Sequence, residues 1–248
     1  MKTIDVYKNE HNENIKIFES NILSGKNSGA KNVDGDLKTP IGAYELVNKI
    51  TPPDQFYGPL ALITNYPNNF DKTNNKTGDG IWIHGLPFSG NRDPYTKGCI
   101  AIENENLKKL DKNIHFSESI LIIGNLDSNI SNKDSIAGVL SNFYSWKNAW
   151  QSGDFETYLS FYSKSFKKLD GSNFNKFSSY KKSIFDKDDE KTILVKDINI
   201  IPYPNMENKN MYKIQYHQTY STKNYHSVGK KELYIELIDN KIQILYEG

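Results

Sequence analysis

The chain of 248 residues has one cysteine, Cys99, and one arginine, Arg92; every other basic residue is lysine. A single cysteine rules out an intramolecular disulfide, and it fits either redox compartment. A structural zinc site wants about four N/S ligands, and one cysteine with no paired histidines cannot supply them. No apolar run approaches the roughly 20 residues that cross a bilayer. Neither sign of charge dominates: 31 basic against 30 acidic residues give a net charge of +1, so there is no general field for nucleic acid or an anionic membrane. The N-terminus has no secretory hydrophobic segment, which fits a cytoplasmic protein or the mature part of an exported one. A serine hydrolase would need a Gly-x-Ser-x-Gly elbow, and there is none.

What the chain does have is apolar material for cores, 37% hydrophobic with 16 tyrosines, beneath a polar surface of mean hydropathy −0.67. Short alternating segments dominate the first half. Two strands flank the turn Glu10–Asn14, a further strand carries Tyr44 and Leu46, Leu60–Thr64 is apolar, and Ser119–Ile123 closes the unit. The segments 51–59 and 65–80 read as irregular loops. Asn104 looks like the N-cap of a helix that buries Leu107 and Leu110. The turn-rich stretch 127–134 reads as a linker. Beyond it the period changes. Ile136, Val139, Leu140, Phe143, Trp146 and Trp150 fall on one helical face. A second helix holds Phe155, Tyr158, Leu159 and Tyr162, a third runs from Asn173 to Phe185, and four strands follow from Ile193 to Tyr246. The expected architecture is a mainly β domain over 1–126 and a smaller α+β domain over 135–248.

Chemistry concentrates at Ile81-Trp82-Ile83-His84-Gly85 and Thr96-Lys97-Gly98-Cys99-Ile100. A lone cysteine is usually a small buried hydrophobe. Cys99 instead follows Gly98 in a Gly/Pro-containing loop, where backbone N–H groups can face a reacting carbonyl oxygen. His84 precedes a glycine whose carbonyl can accept from one ring nitrogen, fix the tautomer and leave the other nitrogen for the thiol. An imidazolium there would hold the thiol as thiolate at neutral pH. His11, His115, His217 and His226 have no such context.

These two motifs closely resemble the HG…[S/T]xGC[I/V] signature of the YkuD-type L,D-transpeptidase catalytic domain, and Lys38-Thr39-Pro40-Ile41-Gly42-Ala43-Tyr44 resembles the TPxGxY strand upstream of it. The resemblance covers roughly residues 1–125. It implies a β-sandwich-like catalytic domain, an exported enzyme of the periplasm or cell envelope, and peptidoglycan stem peptides as partners. It implies no cofactor and no metal. Carried over, Cys99 is the nucleophile, His84 the base and the Gly85 carbonyl the orienting group, with backbone N–H groups around Gly98 and Cys99 as the oxyanion hole. Ala101 stands where many members have an arginine. Arg92 and Lys97, with Thr96 and Gly98 in the same loop, are the candidate substrate-binding residues. Trp82 reads as core.

Trp146–Phe155 with Tyr158, Leu159 and Tyr162 resembles the opening helices of nuclear-transport-factor-like (SnoaL-like) domains, with a cone of helices against a curved sheet and a binding or assembly role. The pairing of the two domains, together with Gly98–Asn104, resembles the cell-shape L,D-carboxypeptidases of helical bacteria. The expected activity is therefore removal of the terminal D-alanine from tetrapeptide stems through a Cys99 thioester. The alternatives are L,D-transpeptidation, which forms cross-links or attaches a protein to the wall, and a non-catalytic wall-binding scaffold.

Overall fold

A computed structural model of the chain describes residues 2–11, 13–116, 118–124, 133–187 and 189–248. They fall into two compact units. One runs to Asp71 and continues over Asn75–Ile123; the other takes in Lys72–Asn74 and the chain from Gly124 on. Of the linker expected at 127–134, residues 127–132 lie outside the described residues, and 133–134 already belong to a helix.

The first unit is mostly strand. Strands β1 (Thr3–Glu10) and β2 (Glu13–Asn21) form an antiparallel ribbon. Strands β3 (Gly42–Ile50), β4 (Ala61–Thr64), β5 (Trp82–His84), β6 (Ile100–Ala101) and β7 (Ile120–Ile123) form a second sheet in the order β6-β5-β4-β3-β7. Only β5 and β6 pair in parallel. Just past the ribbon, Leu23 and Ala101 exchange two backbone hydrogen bonds of 2.8 and 2.9 Å, which ties the ribbon layer to the edge of the sheet. Ile4, Val6 and Phe18 of the ribbon then share a core with Leu46, Leu62, Ile83 and Ile100. This is the expected mainly β domain.

The loop read as irregular over 65–80 contains a short helix, α1 (Asn69–Thr73). Asn68 and Asp71 cap it reciprocally: Asp71 N–H donates to Asn68 Oδ1 at 2.8 Å, and Asn68 N–H donates to Asp71 Oδ2 at 3.3 Å. Helix α2 (Asn104–Lys112) buries Leu107 and Leu110, as their spacing predicts. Its N-cap is Glu103 and not Asn104, and the cap makes no side-chain hydrogen bond.

The second unit packs α3 (Lys133–Ser152), α4 (Phe155–Ser160) and α5 (Phe174–Phe185) with a four-stranded antiparallel sheet. The strands are β8 (Lys191–Pro202), β9 (Met211–Thr222), β10 (His226–Ile238) and β11 (Lys241–Glu247), in sheet order β11-β10-β9-β8. Val139, Phe143, Trp146 and Trp150 of α3 are buried against Tyr212, Ile214 and Tyr216 of β9. Ile136 and Leu140, expected on the same face, line an open groove with Val195, Ile198 and Ile200, to which Lys196 and Asp197 add charge. Asp239 and Asn240 both take positive φ, 47° and 61°, in the tight turn between β10 and β11. Several polar groups inside this core find partners, although Tyr212 Oη has none among the described residues. Tyr162 Oη accepts from Trp146 Nε1 at 3.2 Å, lies 2.7 Å from Tyr158 Oη and donates to Glu247 Oε2 at 2.6 Å. The Lys181 ammonium stands 3.9 Å from Glu247 Oε1, with the rings of Trp150, Tyr158 and Phe177 around it.

Candidate active site

The parallel pairing of β5 with β6 brings the two sequence motifs together. Ile83 stands opposite Ile100 and His84 opposite Ala101. One step back in the same register sets Cys99 beside Trp82. Alternation then puts Trp82, His84, Cys99 and Ala101 on one face, with the thiol diagonal to the imidazole. Ala101, where many family members have an arginine, stands opposite His84 and is itself buried.

His84 is 1% exposed. Its Nδ1 is 2.7 Å from the Gly85 carbonyl oxygen. A carbonyl only accepts, so Nδ1 carries the proton and Nε2 keeps the lone pair. Tyr57, in a 3-10 turn over Gln55–Tyr57, meets the imidazole edge-on at 5.0 Å and Trp82 at 5.4 Å, while its carbonyl accepts from Gly85 N–H at 2.9 Å. Trp82, expected in the core, is therefore a half-buried wall of the site.

Gly85 is held by a contact that the sequence does not announce. The Asn104 carboxamide reaches back across 18 residues to grip Leu86: Oδ1 accepts from Leu86 N–H at 2.9 Å, and Nδ2 donates to Leu86 O at 3.1 Å. A Cβ on Gly85 would sit 2.2 Å from Asn104 Oδ1, and one on Gly58 would sit 2.6 Å from it. Both glycines are required because three backbone segments and this amide occupy one small volume. Asn-before-helix is the only signal in the sequence, and it points to capping instead.

The loop before Cys99 is braced by Thr96. Its hydroxyl accepts from Gly98 N–H at 3.1 Å and donates to the Cys99 carbonyl at 2.6 Å. Thr96 is itself buried and hydrogen-bonded to the chain at Ser24 and Lys26, and Gly25 N–H donates to Thr39 Oγ1 at 2.8 Å. The upstream motif thus supports the loop that carries the thiol. Two expectations change here. The Thr96 hydroxyl is engaged in holding the loop, and Gly98 N–H is engaged by Thr96, so neither points at a substrate. Gly98 has φ of 143°, and a Cβ there would lie 2.9 Å from Lys38 O.

Arg92 is half-buried, with its guanidinium 4.9 Å from the Phe56 ring centroid and Nη2 donating at 3.5 Å to Tyr95 O. Nε and Nη1 are buried with no hydrogen-bond partner among the described residues. Its charge bears on both Cys99 and His84. Lys97 is exposed and joins none of these contacts.

The electrostatics correct the expected thiolate–imidazolium pair. Burial pushes the His84 imidazole down to about 4, the Arg92 charge adds to this, and the Gly85 hydrogen bond opposes it. Burial also pushes the Cys99 thiol up, against the Trp82 backbone N–H and the charges of Arg92 and Lys31. Both directions favour a neutral thiol and a neutral imidazole over the ion pair. In keeping with that, the thiol donates to the Gly80 carbonyl at 3.2 Å. Among the described residues no cluster of His, Cys, Asp and Glu is set to hold a metal, and no helix is long and apolar enough to cross a membrane.

Residues 2–122 match the YkuD family, the L,D-transpeptidase catalytic domain, and residues 138–248 match the Cds6 C-terminal NTF2-like domain. The helical cell shape determining protein Pgp2 of Campylobacter jejuni is 44% identical, with a TM-score of 0.93 over 100% of this chain and 88% of that one. Bd1075 of Bdellovibrio bacteriovorus is 29% identical, with a TM-score of 0.77 over 99% of this chain and 88% of that one. No curated protein matches the chain.

Proposed function

The chain belongs to the family that joins a YkuD-type L,D-transpeptidase catalytic domain to an NTF2-like C-terminal domain, and from that premise we propose that it is a peptidoglycan-modifying cysteine enzyme of the cell envelope. Its reaction is L,D-carboxypeptidation, removal of the terminal D-alanine from tetrapeptide stems. The observation that carries this reading is the site on one sheet face: a tautomer-fixed His84, the thiol of Cys99, and a buried guanidinium with two open nitrogens.

His84 Nε2 takes the thiol proton as sulfur attacks the carbonyl between the L-centre of the diamino acid and D-alanine. The C–N bond then breaks, the proton passes to the departing amine, and a thioester remains. Water attacks that thioester, gives up a proton through His84 to the sulfur, and releases the tripeptide. The Cys99 N–H is the backbone donor proposed for the oxyanion, Gly98's being engaged by Thr96. Arg92 receives the free carboxylate of D-alanine, for which a planar guanidinium is the fitting partner. If the side-chain amine of a second stem replaces water, the same thioester yields a cross-link. Hydrolysis is favoured because the likeness to a cell shape determining protein extends over both domains.

The test is incubation with purified disaccharide tetrapeptide, with products read by mass spectrometry. Loss of D-alanine alone supports hydrolysis, and a cross-linked dimer moves the assignment to transpeptidation. No reaction by the wild type, or equal reaction by Cys99→Ala, rejects the enzymatic reading and returns the chain to a wall-binding scaffold.

A further inference from the structure

The segment 31–38 touches both flanks of Cys99. On one flank, Asp34 N–H donates to Thr77 Oγ1 at 3.0 Å and Thr77 N–H donates to Asn32 O at 2.9 Å. The stem of Lys31 lies against Gly78, where an added Cβ would be 3.1 Å from Lys31 Cε. This stretch runs directly into Gly80, whose carbonyl receives the thiol. On the other flank, the Lys38 carbonyl packs against Gly98.

Segment 31–38 itself is wound around an ion pair whose lysine is buried and whose aspartate is half-buried. Lys31 is 3% exposed; its ammonium donates to Asp36 Oδ1 and to Val33 O, each at 3.0 Å. Asp36 also accepts from the backbone N–H groups of Asn32, Val33 and Lys38 at 2.8, 3.2 and 3.1 Å. Burial alone would raise this carboxyl, but those donors hold it at about 2, so the carboxylate stays ionised across the working range. Removing either partner of a largely desolvated pair is costly, because the other is left uncompensated. The positive charges that bear on the sulfur are Arg92 on its own loop, with Tyr57 and Asp93 bearing on that guanidinium, and Lys31 from this segment; His84 stands on the neighbouring strand β5.

We propose that Lys31 is a positioning residue for Cys99: anchored by Asp36, it fixes the Thr77–Gly80 stretch that receives the thiol, and it supplies a second positive charge that favours the attacking thiolate alongside Arg92. The inference rests on the reading of Cys99 as nucleophile. Arg92 meets the substrate, whereas Lys31 acts only through the sulfur and its acceptor.

The sole cysteine makes the test direct. Alkylation of the full chain by iodoacetamide, followed by intact mass across a pH series, reads Cys99 alone and needs no substrate. Lys31→Gln is expected to slow alkylation near neutral pH by about three- to tenfold and to move the midpoint upward, while Lys31→Arg stays within about twofold of wild type. Asp36→Asn removes the partner that offsets the Lys31 charge and is expected to move the midpoint downward. Opposite shifts from the two members of one ion pair are not what a loosened loop would give. An unchanged midpoint in folded Lys31→Gln, or shifts of the same sign in both variants, overturns the proposal. Should Lys31→Gln fail to fold by circular dichroism, Asp36→Asn decides: a lowered midpoint supports the proposal, and an unchanged or raised one rejects it. Wild type inactive on tetrapeptide with these shifts intact would reject the enzymatic reading and leave standing only the influence of Lys31 on the thiol.

Discussion

The two units bury polar groups to opposite ends. In the second, the Tyr158–Tyr162–Glu247 chain closes on itself, each hydroxyl and the carboxylate engaged by a neighbour inside the aromatic core. In the first, Arg92 keeps two buried guanidinium nitrogens without a partner, and His84 spends one nitrogen on Gly85 and leaves the other basic. A buried polar group without a partner costs about 1–3 kcal/mol, more if charged. An open group of this kind beside the thiol proposed as nucleophile, with the Tyr158–Tyr162–Glu247 cluster satisfied elsewhere, is where the proposed substrate would complete the bonding. Tyr212 Oη in the second core is also buried without a partner, but no thiol or imidazole stands with it; the company of open groups, more than burial, sets the two regions apart.

Four experiments can break or sharpen that contrast. The largest effect is expected from acid. His84 must be neutral to accept the thiol proton, so kcat/KM should be flat between about pH 5 and 8 and fall about tenfold per unit below about pH 4. The same depressed value works on stability with a definite sign. The unfolded chain binds the His84 proton below about 6.5 and the folded chain only near 4, so the first unit loses stability as pH falls through that window, by about 3 kcal/mol once both forms are protonated. An activity limb near pH 6.5 would mean that His84 is not held neutral by its burial.

Next in size is Arg92→Ala. It should raise KM by about ten- to a hundredfold for a stem ending in a free carboxylate, and far less for the amidated stem. Equal effects on both substrates would remove the open guanidinium from the site and with it half of the contrast. Asn104→Ala comes third: losing two hydrogen bonds to Leu86 should lower kcat by about tenfold, because the Gly85 carbonyl that orients His84 is no longer held. Unchanged kcat with a lower melting temperature would make the amide a purely structural clamp. The smallest expected effect is Tyr162→Phe, which leaves Glu247 short of one donor and should cost about 1–3 kcal/mol in thermal unfolding of the second unit. Lost turnover at unchanged stability would bring this closed network into the catalytic cycle and end the comparison.

Much of the architecture was legible because periodicity and packing agreed. The 3.6-residue spacing of Val139, Phe143, Trp146 and Trp150 marks the helix that covers the sheet. Alternation marks all four strands of the second unit, and Asp-Asn marks the last turn. Helix α1 escaped notice because five residues capped by Asn68 and Asp71 carry no apolar period. At the site, residue types and spacing pick out Cys99 and His84, yet their common face depends on the β5–β6 register, a pairing across 17 residues. Side-chain destinations were the least legible. Asn104 has the look of a cap and is a clamp; Thr96 has the look of a ligand contact and braces its own loop. Nor does a Cys and a His in sequence reveal which side of the proton transfer is at rest, since that depends on how far each is shielded from water.

The hydrogen bond from Cys99 to the Gly80 carbonyl bears on how long such an enzyme lasts. Thiolates, not thiols, are readily oxidised, and past the sulfenic stage the damage is irreversible for most proteins. This chain has no second cysteine to resolve an early oxidation product into a disulfide. If Cys99 is the proposed nucleophile, waiting as a neutral thiol and losing its proton to His84 only during attack would shield it from peroxide between turnovers. For an enzyme proposed to work outside the reducing cytoplasm, that waiting state is a form of chemical durability.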